Sequence, residues 1–468
     1  MSNASHDDIA IVGIACRFAG AANVSAFWRN VVTGKSAIGD HPNPLAVRVL
    51  DPSVSRFDRL ITQRGGYLRE LNTFTPGAFG LTVDNLVGVN PDQFLAMHLA
   101  SEALCHACLE PATIPAGRTG LVLGYANPLN VSTANWLQHG LVLDQTEALL
   151  QRLFPAAAAA QLCEIREAMK NALPPMHAPG VRSAFGYALA GQCAAALRMT
   201  GAAYAVDAGA ATSLQVLRLA MDELRLGRCD IMLAGAVQSC AAVQTLMGLA
   251  ARLPFTTRDL PCPFSRDADG TLPGEGGGFL VLKRRGDAEK DGSEIFAIIK
   301  GIGLASGSAA LSHGSPDSSR LVAAMQAGQN EAGVDPASID LVETHGSAVP
   351  HEDQLEIQAL RQVFADRKAS APRVLVGVTK SQIGHCYAAG GLASVIKAAL
   401  ALYHCVLPPV PLARGRMQAR LVQASSPFYV AAAPRPWVQG DHHPPRRAAV
   451  NALGCDCVQA HAVLEAYA

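Results

Sequence analysis

The chain has 468 residues, of which 50% are hydrophobic, with 38 acidic and 38 basic side chains. A formal net charge of zero argues against nucleic acid or an anionic membrane as the main partner. Twelve cysteines lie scattered without a spacing ladder in a chain too long to need disulfide staples, so they read as reduced and cytosolic.

Met1 to Ala4 is expected to be the scar of an expression tag, and no secretory-signal pattern follows it. Ile9 to Ala15 is strand-like, and a helix is predicted from Val24 to Thr33. Gly13 alone is no dinucleotide fingerprint, because no GxGxxG surrounds it. Gly65 to Leu68 predicts a turn and a short strand, and a long helix starts near Asn90. Cys105 and Cys108 form a CxxC without a second pair at metal-ligand spacing, which predicts buried helix cysteines rather than zinc ligands. Thr119 to Gly124 predicts a buried strand, and Asn127 to Val142 is polar and loop-like. Gln145 to Ala172 is strongly helical with a mixed-charge face, which predicts an insertion of surface helices. A further helix is expected over Ser183 to Met199.

Tyr204 to Val206 predicts a short buried strand, followed by the small residues Ala208 to Ala211. An amphipathic helix then carries Leu214, Leu217, Met221 and Leu224 on one face. Thr212 and Ser213 supply hydroxyls at its start, and Gly227 lies where it would stop. A strand turning sharply into a helix can expose a nucleophile where the helix dipole and free N–H groups stabilise an anion. Taken alone, the stretch is equally an ordinary strand–loop–helix packed by small residues.

Ile231 to Ala251 carries no charge, but its polar residues and two glycines predict a strand and a buried helix rather than a membrane span. In the segment Pro263 to Lys283, turn residues cluster before an alternating strand, Phe279 to Lys283. Asp267 and Asp269 lack the remaining ligands of a calcium loop. A strand Ile295 to Lys300, a helix near Arg320 to Ala332 and a strand Ile339 to Glu343 alternate as βαβ, which predicts a mostly parallel sheet between helix layers. Three chemistry-bearing segments follow. Glu343-Thr-His-Gly-Ser contains His345, and Thr379-Lys-Ser-Gln-Ile-Gly-His contains Lys380 and His385 ahead of a helix from about Ala388 to Leu402. The last is Asn451-Ala-Leu-Gly-Cys-Asp-Cys-Val-Gln-Ala-His. Each histidine taken singly is more often structural than catalytic.

In this order and spacing the segments resemble the β-ketoacyl synthases. Val206, Asp207, Ser213 and Leu214 fit that family's elbow, Val-Asp-x-x-Cys-x-x-Ser-Leu, and the family's cysteine falls on Ala210. The segment Pro263 to Lys283 matches its Phe-Asp-x-x-Ala-Asp-Gly…Gly-Glu-Gly consensus. Leu141 to Leu150 and Lys380 to His385 look nearest to the iterative synthases of heterocyst glycolipids, polyunsaturated fatty acids and enediynes.

The resemblance implies an α/β, thiolase-like, five-layer αβαβα fold with two pseudo-repeated halves. One ketosynthase domain would span 5–468, with halves 5–285, holding an insertion of about 145–180, and 286–468. A homodimer is implied, with a ketosynthase-like heterodimer as the alternative. The implied reaction is decarboxylative Claisen condensation between an acyl chain and malonyl thioester, both carried on phosphopantetheine of an acyl carrier protein, with no resident cofactor or metal. His345 and His385 would hold developing enolate charge, and Lys380 would position their loop. Backbone N–H groups at Ala210 and Cys455 would form an oxyanion hole, with Asp456 and Cys457 in the gating loop where the family has a glycine pair. A methyl group at 210 cannot be acylated. Two readings stay open: a Cys→Ala substitution in a condensing enzyme, or a naturally nucleophile-less partner that serves as a malonyl decarboxylase or scaffold. Cys386 and Cys455 are weak substitutes, since neither sits at a strand-to-helix elbow.

Overall fold

The computed structural model describes residues 8–43, 45–51, 53, 59–69, 79, 88–306, 318–367, 371–410, 419–423, 425–440, 444–454 and 458–467. The expected tag scar and the segment Cys455 to Cys457 lie outside them.

Among the described residues, eleven strands build the main sheet: β1 (Ile9–Phe18), β2 (Thr119–Gly124), β3 (Ala203–Val206), β4 (Ile231–Gln238), β5 (Gly276–Arg284), β6 (Ala297–Ser306), β7 (Leu341–Glu343), β8 (Val374–Gly377), β9 (Phe428–Tyr429), β10 (Arg447–Leu453) and β11 (Val458–Glu465). Their spatial order is β9-β8-β7-β10-β11-β6-β1-β5-β4-β2-β3. The same pattern occurs twice. In one half β3, β2 and β4 run parallel, then β5 and β1 are antiparallel. In the other β8, β7 and β10 run parallel, then β11 and β6 are antiparallel. Antiparallel pairing of Ile9–Ile11 with Ala297–Ile299 joins the halves. The sheet is therefore mixed rather than mostly parallel, because each half closes through hairpin-like neighbours that the βαβ alternation does not reveal.

Helices cover both faces: α1 (Pro91–His106), α2 (Gly186–Ala196), α3 (Thr212–Arg225), α4 (Ser318–Ala332), α5 (Pro350–Val363) and α6 (Gly390–Tyr403). Helix α3 buries Leu214, Leu217, Met221 and Leu224 completely, as its periodicity predicts. Helix α6 is buried all round from Gly390 to Leu402, which marks it as a central-layer helix. The two central helices share one core with the inner faces of both half-sheets.

Three local expectations change. Tyr204–Val206 is only part-buried, because β3 lies at the end of the sheet and pairs with β2 alone among the described strands. Asn127 to Val142 is not a loop: it contains a helix Val131–Leu137 that runs on into a wider π-turn, Gln138–Val142. Its polar residues are structural, with Asn130 accepting from Thr133 N at 3.0 Å as the helix cap and Asn127 Nδ2 donating to Asp92 at 3.1 Å. Cys105 and Cys108 are exposed, because α1 turns Leu99, Ala100, Ala103 and Leu104 inward and leaves Cys105 on the other face. The 145–172 stretch is surface helices as expected, Leu143–Leu153 and Ala159–Asn171, separated at Pro155.

One buried ion pair ties α6 to the sheet. Lys397 Nζ lies 2.9 Å from Glu343 Oε1, both side chains fully buried, and Thr379 donates to the other carboxylate oxygen at 3.2 Å. Lys397→Met would strand the Glu343 carboxylate, and a loss of about 3–5 kcal/mol in unfolding free energy is expected from urea titration. A loss below about 1 kcal/mol would show the pair to be dispensable.

Candidate active site

The carboxyl ends of β3, β7, β8 and β10 converge, which is where α/β sheets place their ligands. After β3 the chain turns through Gly209, whose φ of 60° is costly for any side-chain-bearing residue. Asp207 accepts from Gly209 N at 2.9 Å, and Thr212 Oγ1 accepts from Ala208 N at 2.8 Å while donating to Gly209 O at 2.6 Å. These bonds tie the short turn Gly209–Ala211 to the start of α3 and present Ala210 to a cavity of about 320 Å³.

His345 and His385 line the same cavity, with their rings edge-to-face at 5.3 Å. His345 Nδ1 accepts from Leu453 N at 3.2 Å, and His385 Nδ1 accepts from Tyr387 N at 3.0 Å. A backbone N–H on each Nδ1 places the ring proton on Nε2, so both neutral rings are Nε2–H donors. Burial lowers both imidazole pKa values, and the nearby Lys380 ammonium lowers them further, so they stay neutral at pH 7. His345 Nε2 is buried without a hydrogen-bond partner among the described residues.

Lys380 stands behind the histidines. Its ammonium donates to His345 O and lies 3.4 Å from His345 Nδ1. Burial draws its pKa from 10.5 down to about 8. The turn carrying His345 is held from α5, where Glu356 accepts from His345 N at 2.8 Å and from Gly346 N at 2.9 Å. Asn451 Nδ2 donates to the same carboxylate at 2.9 Å, and His461 Nδ1 lies 2.7 Å from Asn451 Oδ1 on the paired strand.

Of the residues expected from sequence, Ala210, His345 and His385 thus meet at one cavity, and Lys380 abuts His345 from behind. Cys455, Asp456 and Cys457 lie outside the described residues. Cys386 is fully buried and its thiol pKa is pushed up by desolvation, so it is no nucleophile. Sequence reading missed Glu352 and Glu356, although their i, i+4 spacing just after the His345 motif puts both on one helix face. It also missed Arg252 and Tyr387, which share the cavity wall at 5.3 Å from guanidinium carbon to ring centre. No sequence signal links Arg252 to the other motifs.

A repeated sheet with a helix-terminal elbow, two imidazoles at one cavity and a lysine behind them defines the thiolase-like fold class. Residues 6–288 match the family model for the β-ketoacyl synthase N-terminal domain, and residues 296–412 match that for the C-terminal domain. The chain belongs to the β-ketoacyl synthase family. It is 31% identical, over 99% of its length, to polyketide synthase ThaG of Burkholderia thailandensis. It is 30% identical, over 98% of its length, to a polyunsaturated fatty acid synthase of Thraustochytrium sp.. It spans only 8% and 16% of the length of those two proteins. The ketosynthase from module 6 of the bacillaene synthase of Bacillus subtilis 168 superposes with a TM-score of 0.79 at 26% identity, over 98% of this chain and 72% of that one. The oxazolomycin ketosynthase domain OzmH KS7 of Streptomyces albus has the same fold, with a TM-score of 0.83 at 24% identity over 99% and 74% of the two chains.

Lys380 makes stability depend on pH. The unfolded lysine holds its proton up to about pH 10.5, whereas the folded one releases it near 8. Between those values the unfolded chain binds more protons, so stability rises with pH; below about 8 the burial penalty is fully present. The unfolding free energy of this chain relative to Lys380→Met should therefore increase between pH 7.5 and 9.5, by an amount on the order of 2 kcal/mol. A flat difference across that range would show that Lys380 is not desolvated.

Proposed function

We propose that this chain is a condensing-type ketosynthase domain whose reaction is interrupted at acyl transfer. It accepts a malonyl thioester from the phosphopantetheine of an acyl carrier protein and decarboxylates it, while Ala210 withholds the covalent step. The observation that carries this reading is the pinned tautomer of His345 and His385, which leaves two neutral Nε2–H donors beside a methyl group at the elbow.

Decarboxylation breaks the bond between the carboxylate carbon and the α-carbon. CO2 leaves, and the electron pair passes into an enolate whose oxygen accepts from the two imidazoles. Donors fixed in place where charge develops are worth about 3–4 kcal/mol each. With an acyl-cysteine at 210, the enolate α-carbon would attack its carbonyl, and the cysteine thiolate would leave as the β-ketoacyl thioester forms. With alanine there, the enolate takes a proton from water and leaves as acetyl thioester. Lys380 acts as a positioning residue, holding the His345 carbonyl and keeping both rings neutral.

Among the described strands β3 pairs with β2 alone, and such an edge favours pairing with a second copy, in keeping with the homodimer that the family resemblance implies. The elbow's hydrogen bonds run through Asp207, Thr212 and backbone, so a cysteine at 210 adds a thiol without disturbing them. Position 210 is therefore able to carry a nucleophile.

Ala210→Cys, incubated with an acyl thioester, should gain one acyl mass and then condense with malonyl-carrier protein. An adduct without condensation would instead mark a native non-condensing partner, and no adduct would overturn the elbow reading. His345→Ala and His385→Ala should each slow CO2 release from malonyl thioester by about 10²–10³-fold. Unchanged rates would remove the imidazoles from the mechanism.

A further inference from the structure

Decarboxylation gives no role to the buried acid of the cavity wall. Glu352, in the first turn of α5, is 3% exposed, and it lines the same cavity as Ala210, His345 and His385. Its Oε2 lies 3.6 Å from His345 Nε2, too far for a hydrogen bond but close enough for a small oxygen-bearing group to meet both. The carboxylate is held in place. Ser347, fully buried, donates its hydroxyl to Glu352 Oε2 and accepts from Val349 N at 3.2 Å, which fixes the direction of that hydroxyl. His345 Nε2 has no hydrogen-bond partner among the described residues. A buried acidic group facing such a donor is an expensive arrangement for mere packing.

We infer that Glu352 is a general base that makes this cavity a thioester hydrolase, with water in the place that a cysteine at 210 would otherwise contest. The inference rests on the reading that thioesters bind here. Glu352 takes one proton from water as the water oxygen bonds to the thioester carbonyl carbon. The carbonyl oxygen, now anionic, accepts from the Nε2–H groups of His345 and His385. Collapse breaks the carbon–sulfur bond, and the proton passes from Glu352 to the departing thiolate. The products are a carboxylic acid and a free thiol, with no other reactant needed. A methyl at 210 matters twice, because it cannot form an acyl-enzyme and it leaves open the space a thiol would fill. A cavity of about 320 Å³ limits the acyl group, so short-chain acyl thioesters are the substrate class.

The test uses butyryl-N-acetylcysteamine and measures thiol release with a thiol-reactive dye. The unaltered chain is expected to release thiol well above the buffer rate, and Glu352→Gln, which keeps the Ser347 hydrogen bond, to be slower by about 10²–10⁴-fold. Thermal denaturation confirms that the variant folds. Should it not, Glu352→Asp, which withdraws the base by one methylene, is expected to be at least about 10-fold slower. Thiol release at the buffer rate, or a variant within about twofold of the parent, overturns the inference. CO2 release from malonyl-N-acetylcysteamine by the unaltered chain separates the two readings. CO2 without hydrolysis sinks this inference alone, and neither product sinks both.

Discussion

The site depends on one buried carboxylate. Glu356 is 1% exposed and accepts from His345 N, Gly346 N and Asn451 Nδ2, so a single side chain on α5 ties the end of β7 to β10. Three donors are what a buried carboxylate needs to offset its lost hydration. They also fix the tight turn at Gly346, whose φ of 46° is disfavoured for L side chains. With that turn fixed, the His345 ring meets Leu453 N, its tautomer follows, and Lys380 finds the His345 carbonyl. Asn451 and His461 extend the support to β11. His461 is kept neutral by burial, its pKa drawn down to about 3, which suits a ring that serves as a hydrogen-bond partner rather than a titrating group.

The second constraint is close approach between the two central helices. Ser213 at the start of α3 donates to Ala388 O just ahead of α6. A Cβ at Gly391 would lie 3.1 Å from Ser213 Cβ, tighter than most packed contacts. Small residues at 388 to 391 therefore bring the elbow of one half against the His385 segment of the other. Without that contact, Ala210 and His385 would belong to separate half-sites. The repeated pairing pattern of the sheet and the shared cavity thus have a common cause in residues without bulk.

Much of this was legible in the sequence, and the limits are physical. The helix on Leu214, Leu217, Met221 and Leu224 was readable because its apolar stripe keeps a 3.6-residue period. The segments carrying His345 and Lys380 with His385 were readable because each follows a strand end. The mixed sheet was not readable, since strand direction depends on pairing between residues as distant as Ile9 and Arg284. Nor was the helix at Val131–Leu137, where Asn and Ser serve as buried hydrogen-bonding groups rather than loop residues. Glu352 escaped notice for a related reason. Acidic residues in a first helical turn usually answer the helix dipole at the surface, and only the fold shows this one turned inward.

Replacing a nucleophile removes one bond-forming atom and leaves the field around it intact. At this cavity the field is set by two neutral imidazoles, a lysine with a lowered pKa and a buried glutamate. Such preorganised donors stabilise negative charge on a carbonyl oxygen however that charge arises. An enolate formed by loss of CO2 and a tetrahedral oxyanion formed by attack of water place similar charge at a similar point. What separates the two outcomes is the third group the substrate meets. A carboxylate leaving group gives decarboxylation, a base-activated water gives hydrolysis, and a thiol at 210 would give acyl transfer. The fold supplies the common requirement, and on the proposed readings single side chains at 210 and 352 would select among the reactions.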